Sequence, residues 1–258
     1  MSLSDRIKQY EELPDHEVIQ RMIAIENSLR YSLGEERQRL IAVEGNIGTG
    51  KSTLVRLLGT KVGLKPFLED VDSNPIWRSI IDTFYKDRVK YGTTTQLALL
   101  AARLAQAKQA YQVPGSAIID RTYWADLLVF VPTLAEAGLP KGEQKFIERE
   151  FMKFVGEFPP VDLLILLTSD PKTAHQRLVQ RARGSEMATD LAGEVVDENH
   201  YLTKIGDKYK ALPDGLRERK LYTGPIITVD QDQFKVTNSR HTTALLEEVA
   251  TALQVPGY

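Results

Sequence analysis

Gly45-Asn46-Ile47-Gly48-Thr49-Gly50-Lys51-Ser52 fits the pattern G-x-x-x-x-G-K-[ST] in full, with Thr53 following. The pattern is a phosphate cradle. Its glycines let the loop fold back so that backbone N–H groups point inward at oxygen. A helix opening directly after the loop adds the positive end of its dipole. Lys51 supplies a full charge for the β- and γ-phosphates, and Ser52 a hydroxyl for Mg²⁺. A glycine-rich turn alone would explain the glycines but not the Lys-Ser pair. A nucleoside triphosphate, with ATP foremost, is therefore the expected ligand, and Mg²⁺ its expected companion.

Other chemistry is excluded or disfavoured. The chain has no cysteine, so it has no thiol nucleophile, disulfide or Cys-ligated zinc. His16, His175, His200 and His241 are scattered, with no pair at metal-ligand spacing. With 33 Lys+Arg against 35 Asp+Glu, the net charge of −2 argues against a protein held on nucleic acid by its overall charge. No apolar run reaches the roughly 18 residues that cross a bilayer. The polar, acidic opening MSLSDRIKQYEELPDHE resembles neither a signal nor a transit peptide, which makes the cytoplasm the expected location.

What the cradle serves depends on the residues beyond it. A GTPase base reader of the form Asn-Lys-x-Asp is absent. The strand-like run Ala117–Asp120 ends in Asp120-Arg121-Thr122, whereas a mechanical ATPase would follow its acid with a second acid. Asp120 can join the magnesium shell while Arg121 bonds a phosphoryl group or a carboxylate. Glu69 closes another strand-like run, KPFLE. At the carboxyl end of a parallel strand it would face the phosphates and could take a proton from an acceptor hydroxyl. Asp70 and Asp72 compete for that role.

These residues need a frame, and the hydrophobic pattern supplies one. Leu40–Glu44, Lys65–Glu69, Ala117–Asp120, Leu163–Thr168 and Ile226–Val229 are short, mostly continuous apolar runs, as in strands covered on both faces. Helical patterns lie near 50–61, 94–111, 122–135, 142–156, 171–183, 198–211 and 240–253. Alternation of strand and helix predicts an α/β fold with a parallel sheet between helical layers. Ahead of it, Asp15 could cap a helix whose Val18, Met22, Ile25 and Leu29 share one face. Residues 1–35 are thus expected to be an N-terminal helical extension, packed on a domain spanning 36–258 or serving as a dimer contact. The stretches 184–197 and 230–240 read as linker-like.

The ordered set of motifs from about Arg39 to Tyr209 resembles the deoxynucleoside kinases, the family of deoxycytidine, deoxyguanosine and deoxyadenosine kinases. Glu44 to Thr53 is similar to the family's E-G-N-I-G-x-G-K-S-T. Glu69 ends a strand; Gln96 precedes Arg103 by seven; Asp120-Arg121-Thr122 precedes Asp126. Arg177, Arg181 and Arg183 form R-x-x-x-R-x-R, with Glu186 three further on. The resemblance implies a three-layer P-loop fold with a five-stranded parallel sheet and an Arg-rich lid at about 177–197. It implies transfer of the ATP γ-phosphoryl, with Mg²⁺ held by Ser52 and Asp120, to the 5′-hydroxyl of a deoxynucleoside. Glu69 would be the base, Lys51 and Arg121 catalytic cations, and Arg177, Arg181 and Arg183 the lid over ATP. Gln96, Arg103 and Asp126 would read the base, and Tyr85 and Glu186 would hold the sugar. A homodimer and feedback inhibition by a deoxynucleoside triphosphate are also implied.

The sequence departs from the pattern in places. Tyr201 follows Glu186 by fifteen residues, so an insertion near 187–196 is expected, and counting back from Tyr201 would nominate Glu194 as the sugar carboxylate instead. Leu99 stands where several relatives carry a smaller residue and would narrow the space beside the base. Asn74-Pro75-Ile76-Trp77 resembles the bacterial purine enzymes. The Arg103–Asp126 pair favours a purine or cytosine over thymine. The rivals are a thymidylate-type monophosphate kinase and a non-catalytic nucleotide-binding protein.

Overall fold

The computed structural model describes residues 1–36, 38–69, 74–181 and 200–258. Its centre is a parallel sheet of β1 (Leu40–Gly45), β2 (Lys65–Phe67), β3 (Ala117–Asp120), β4 (Leu163–Thr168) and β5 (Ile226–Asp230). The strand order is β2-β3-β1-β4-β5, and every pairing is parallel.

The continuous apolar runs are explained by burial on two sides. In β1, β3 and β4 alternate residues enter different cores, whereas the edge strands β2 and β5 keep exposed positions. Ala42, Ile119, Leu164 and Leu166 face one; Ile41, Val43, Ile118, Ile165 and Leu167 face the other. The first core is closed by α5 (Arg88–Gln112), α6 (Tyr123–Ala125), α7 (Val131–Glu136), α8 (Lys141–Phe154) and α10 (Tyr201–Glu218). The second is closed by α3 (Lys51–Val62), α11 (Ser239–Ala252) and the N-terminal helices α1 (Leu3–Glu11) and α2 (Asp15–Tyr31). This is the expected three-layer arrangement. Helix α4 (Pro75–Lys86) leads into α5, and α9 (Pro171–Arg181) follows β4.

Several elements differ from the sequence reading. The strand KPFLE stops at Phe67, opposite Ile119, and Leu68 and Glu69 lie beyond it. Helix α1 and helix α4 were not expected. Both are capped by their own side chains: Ser2 with Asp5 in a capping box, and Asn74 accepting from the N–H groups of Ile76 and Trp77 ahead of a proline at the first turn. Asp15 is not the cap of α2; Pro14 occupies that position, and Asp15 pairs with Arg240 of α11 instead. Val18, Ile25 and Leu29 do face inward, and α2 packs on α11. Arg6 also binds Glu247 and Glu248 of α11.

The helix expected over 122–135 is broken by a π-helical turn, Asp126–Phe130, where the N–H of Val131 bonds the carbonyl of Asp126. Pro132 follows at once and has no N–H to continue the α-helical ladder. The turn carries Asp126 into the interior, where it is fully buried.

Candidate active site

The phosphate loop joins β1 to α3. Gly45, Gly48 and Gly50 all have positive φ (152°, 80° and 84°). At Gly48 a side chain is excluded twice over: a Cβ would lie 2.4 Å from the carbonyl oxygen of Ala174. Asn46 and Thr49 are buried and bond within the loop or to α10; the Thr49 hydroxyl donates to the Asn46 carbonyl at 2.8 Å, and the Asn46 amide to Leu202 at 2.8 Å. Ile47 turns its side chain toward the adjoining cleft. Thr53 bonds back to Gly50 in the first turn of the helix.

Lys51 is buried with its Nζ donating to the carbonyls of Gly45 (3.1 Å) and Asn46 (2.9 Å). Burial, then the neighbouring Arg121 charge, lowers its pKa to about 8. The Ser52 hydroxyl donates to Oδ2 of Asp120 at 2.7 Å. Oδ1 of Asp120 is buried and has no hydrogen-bond partner among the described residues. A hydroxyl beside a carboxylate with a free oxygen is a hard, partial donor set. It suits Mg²⁺, which takes one or two protein oxygens and completes its shell with phosphate and water. No cluster of three or more His, Cys, Asp or Glu competes for a metal among the described residues.

After Asp120 the chain turns sharply. Arg121 has φ 73°, a strained conformation for a residue with a side chain. Its N–H bonds Val43 at 2.9 Å. The turn is pinned by Glu44, the one acidic residue of an otherwise apolar strand: Oε1 accepts from the N–H and the hydroxyl of Thr122, each at 2.7 Å. Oε2 accepts from the Tyr209 hydroxyl at 3.3 Å, and that hydroxyl accepts in turn from Arg121 Nη1. Burial raises the pKa of Glu44, against the pull of Arg121 and Thr122. Neither Glu44 nor Tyr209 was singled out by sequence reasoning for a role. A buried acid inside LIAVEG was the available signal for the first; nothing marked the second.

Held this way, Arg121 places its Nε 3.3 Å from Glu69 Oε2. Glu69 Oε1 accepts from Arg103 Nη2 at 2.9 Å. Burial pushes the Glu69 pKa up, but Arg103, Arg121 and Lys51 together outweigh it and hold the group below the usual carboxylate range. Glu69 is thus ionised and stands between the phosphate loop and a cleft.

That cleft is lined by Glu69, Tyr85, Gln96, Leu99, Arg103 and Arg121, with Phe84, Phe130 and Tyr201 among its apolar walls. Thr95, Gln96, Leu99, Leu100 and Arg103 form one buried stripe of α5 at helical spacing. Arg103 Nη1 bonds Asp126 Oδ2. Gln96 Oε1, Arg103 Nε and Asp126 Oδ1 are buried without a partner among the described residues. Burial raises the Asp126 pKa to about 7, against Arg103. On the other wall Arg88 lies over the Tyr201 ring at 4.4 Å, and Tyr85 meets Tyr201 edge-on at 6.4 Å. The geometry therefore joins a phosphate loop, a metal-compatible pair, an ionised carboxylate and a mainly apolar pocket with a few buried polar groups. Such a site can bring a hydroxyl to a terminal phosphate.

A family model described as deoxynucleoside kinase matches residues 41–254. The chain belongs to the deoxynucleoside kinase family. This kinase is 32% identical over 156 residues to a deoxyadenosine/deoxycytidine kinase of Bacillus subtilis, covering 59% of this chain and 70% of that one. It is 30% identical over 202 residues to a deoxyguanosine kinase of Dictyostelium discoideum, covering 76% and 65%. A solved deoxyadenosine kinase from M. mycoides, with dCMP and dCDP bound, superimposes with a TM-score of 0.63 at 24% identity, covering 82% and 99%; that likeness concerns the fold. The protein is an ATP-dependent phosphotransferase. Helices α1 and α2 lie ahead of the family match.

The remaining expected site residues of the kinase fall elsewhere. Arg177 donates to the carbonyl of Gln231 at 2.8 Å and lines a groove with Thr49, Gly50 and Thr53, so it borders the phosphate loop and not the cleft. Arg181 is the last residue of α9. Arg183, Glu186, the alternative Glu194, residues 182–197 of the expected lid, and with them the insertion, lie outside the described residues, as do Asp70 and Asp72. No described helix is long and apolar enough to cross a membrane.

Proposed function

We propose that this kinase transfers the γ-phosphoryl of ATP, with Mg²⁺, to the 5′-hydroxyl of a purine deoxynucleoside or deoxycytidine. The observation that carries the choice of base is the buried Arg103–Asp126 pair beside Gln96, with three polar atoms still to be satisfied. Leaving them against the methyl group of thymine would cost about 1–3 kcal/mol for each unmet atom. A base edge offering both donors and acceptors meets that need.

In this reading the 5′-hydroxyl lies at Glu69, which accepts its proton as the oxygen bonds to the γ-phosphorus and ADP departs. Lys51 and Arg121 stabilise the charge that spreads over the phosphoryl oxygens. Arg177, with Arg181 and Arg183, closes over the triphosphate. Tyr85 and Glu186 hold the sugar. Ser52 and Asp120 would hold Mg²⁺, which neutralises phosphate charge when bound. The low proton affinity of Glu69 keeps it ready as an acceptor at neutral pH.

We extend the reading to a homodimer and to inhibition by an end-product deoxynucleoside triphosphate. Support for the dimer is an apolar groove between α5 and α8, lined by Leu97, Leu100, Leu104, Phe146 and Phe154. Support for the inhibition is that the M. mycoides enzyme has been solved with dATP and with dCTP bound. A coupled phosphorylation assay across the four deoxynucleosides, their ribose counterparts and their monophosphates tests the whole reading. Turnover with deoxyadenosine, deoxyguanosine or deoxycytidine well above thymidine supports it. A preference for thymidine, or turnover confined to monophosphates, contradicts it.

A further inference from the structure

The two jobs of the cleft, reading a base and accepting a proton, meet on one guanidinium. Arg103 Nη1 binds Asp126, and Nη2 binds Glu69 at 2.9 Å. Asp126 is fully buried, whereas the Glu69 side chain keeps 28% of its exposure, so the Glu69 contact is the one an incoming ligand reaches. The Nε of Arg103 is buried and without a partner among the described residues. A guanidinium holds its five donors in one rigid plane, so a base acceptor that turns the fork toward itself, Nε included, turns Nη2 away from Glu69.

We infer that Arg103 is a positioning residue that restrains Glu69 through an ion pair until a nucleobase acceptor competes for the guanidinium and releases the carboxylate for catalysis. The inference rests on reading Glu69 as the base and the α5 stripe as the base reader. A ring nitrogen or carbonyl entering beside Gln96 draws Nη2 from Glu69. The freed Oε1 then takes the 5′-hydroxyl proton, the oxygen bonds to the γ-phosphorus, and the bond to the ADP leaving group breaks. A base that fits well therefore raises the chemical rate and not merely the affinity.

The groups that face Glu69 are Arg103 from α5, Arg121 from the turn after β3, and Lys51 from α3. Behind them stand Glu44, Asp120, Asp126 and Tyr209. Arg103 is the largest of the influences holding the Glu69 pKa down. Its withdrawal raises the proton affinity of Glu69.

The test is a ¹³C-carboxylate NMR titration of Glu69, its resonance assigned with Glu69→Gln, in the free protein and with 2′,5′-dideoxyadenosine or its cytidine counterpart. Either probe lacks the reacting hydroxyl. In the wild type the probe should raise the Glu69 pKa by about 1 or more, the scale of one lost adjacent cation. In Arg103→Met the free protein should already titrate higher, and the probe should add less than half the wild-type rise. Arg103→Met leaves Asp126 without its cation, so Arg103→Met/Asp126→Ala carries the same comparison with that charge removed. An equal rise in wild type and variants would assign the effect to water exclusion by the ligand and overturn the inference. No rise in the wild type would overturn it too. Full turnover by Glu69→Gln would instead remove the base reading beneath it.

Discussion

Glu44 accepts both the backbone N–H and the hydroxyl of Thr122, each at 2.7 Å, and by doing so holds Arg121 in its left-handed turn above the cleft. Among the described residues, the Glu44 side chain is not part of the lining of the cleft. Glu44→Ala would orphan the Thr122 N–H and loosen the Tyr209 hydroxyl and Arg121, a cost of about 1–3 kcal/mol for each buried group left unmet. The expected result is a lower melting temperature together with at least a tenfold loss of kcat, of the order seen when a positioned cation is misplaced. Thermal melts and steady-state kinetics check it; a stable variant with full kcat would show that the turn holds itself.

Gly48 should tolerate no side chain. Its φ is 80°, and a Cβ there would stand 2.4 Å from the Ala174 carbonyl oxygen, which leaves no room. Gly48→Ala is expected to weaken ATP binding by about tenfold or more, since the left-handed backbone alone costs about 1–2 kcal/mol. Gly34→Ala is the control, because nothing lies within 4 Å of a Cβ at that position. Isothermal titration with ATP distinguishes the two, and equal affinities would contradict the steric reading.

Asp126 gives a pH signature in stability. Burial raises its folded pKa to about 7, above the ordinary 3.8. Below both values the carboxyl is protonated in either state and contributes nothing. Between them the folded protein holds the extra proton, so stability falls as pH rises through that window, and the loss is complete above about 7. The wild-type melting temperature minus that of Asp126→Asn should therefore decline from pH 4 toward pH 8. A difference that is flat, or that grows with pH, would show that the Arg103 charge outweighs burial.

Leu99 lines the cleft one turn from Gln96 and is 9% exposed. Leu99→Ala should widen the pocket at a stability cost of about 2–3 kcal/mol. The ratio of kcat/KM for deoxyguanosine to that for deoxycytidine should rise by about threefold or more, within what a few methylene groups discriminate. An unchanged ratio would place Leu99 outside the specificity-setting wall.

Much of this molecule is written in local patterns. The phosphate loop is a contiguous motif with a strand before it and a helix after it, so both its chemistry and its place were readable. The strands were readable because burial on both faces demands unbroken apolar runs such as LLILLT. Arg103 and Asp126 could be paired only through the family resemblance, since the contact depends on a π-helical turn that no periodicity announces. The same limit hid the Arg103–Glu69 bond and the Glu44–Thr122–Tyr209 network, whose members are far apart in sequence. Helix α4 differs from these. Asn74-Pro75 is a strong local start, and Trp77, Ile81 and Phe84 recur at helical spacing, so the element was legible locally and went unread.

The most direct measurement is single-turnover phosphoryl transfer by Glu69→Gln, alongside its affinity for ATP. Glutamine keeps the shape just beyond the end of β2 but cannot accept the hydroxyl proton. The rate of the chemical step should fall by about 10²- to 10⁴-fold, while the Kd for ATP changes by no more than a few-fold. A rate equal to the wild type would contradict the assignment of Glu69 as the proton acceptor.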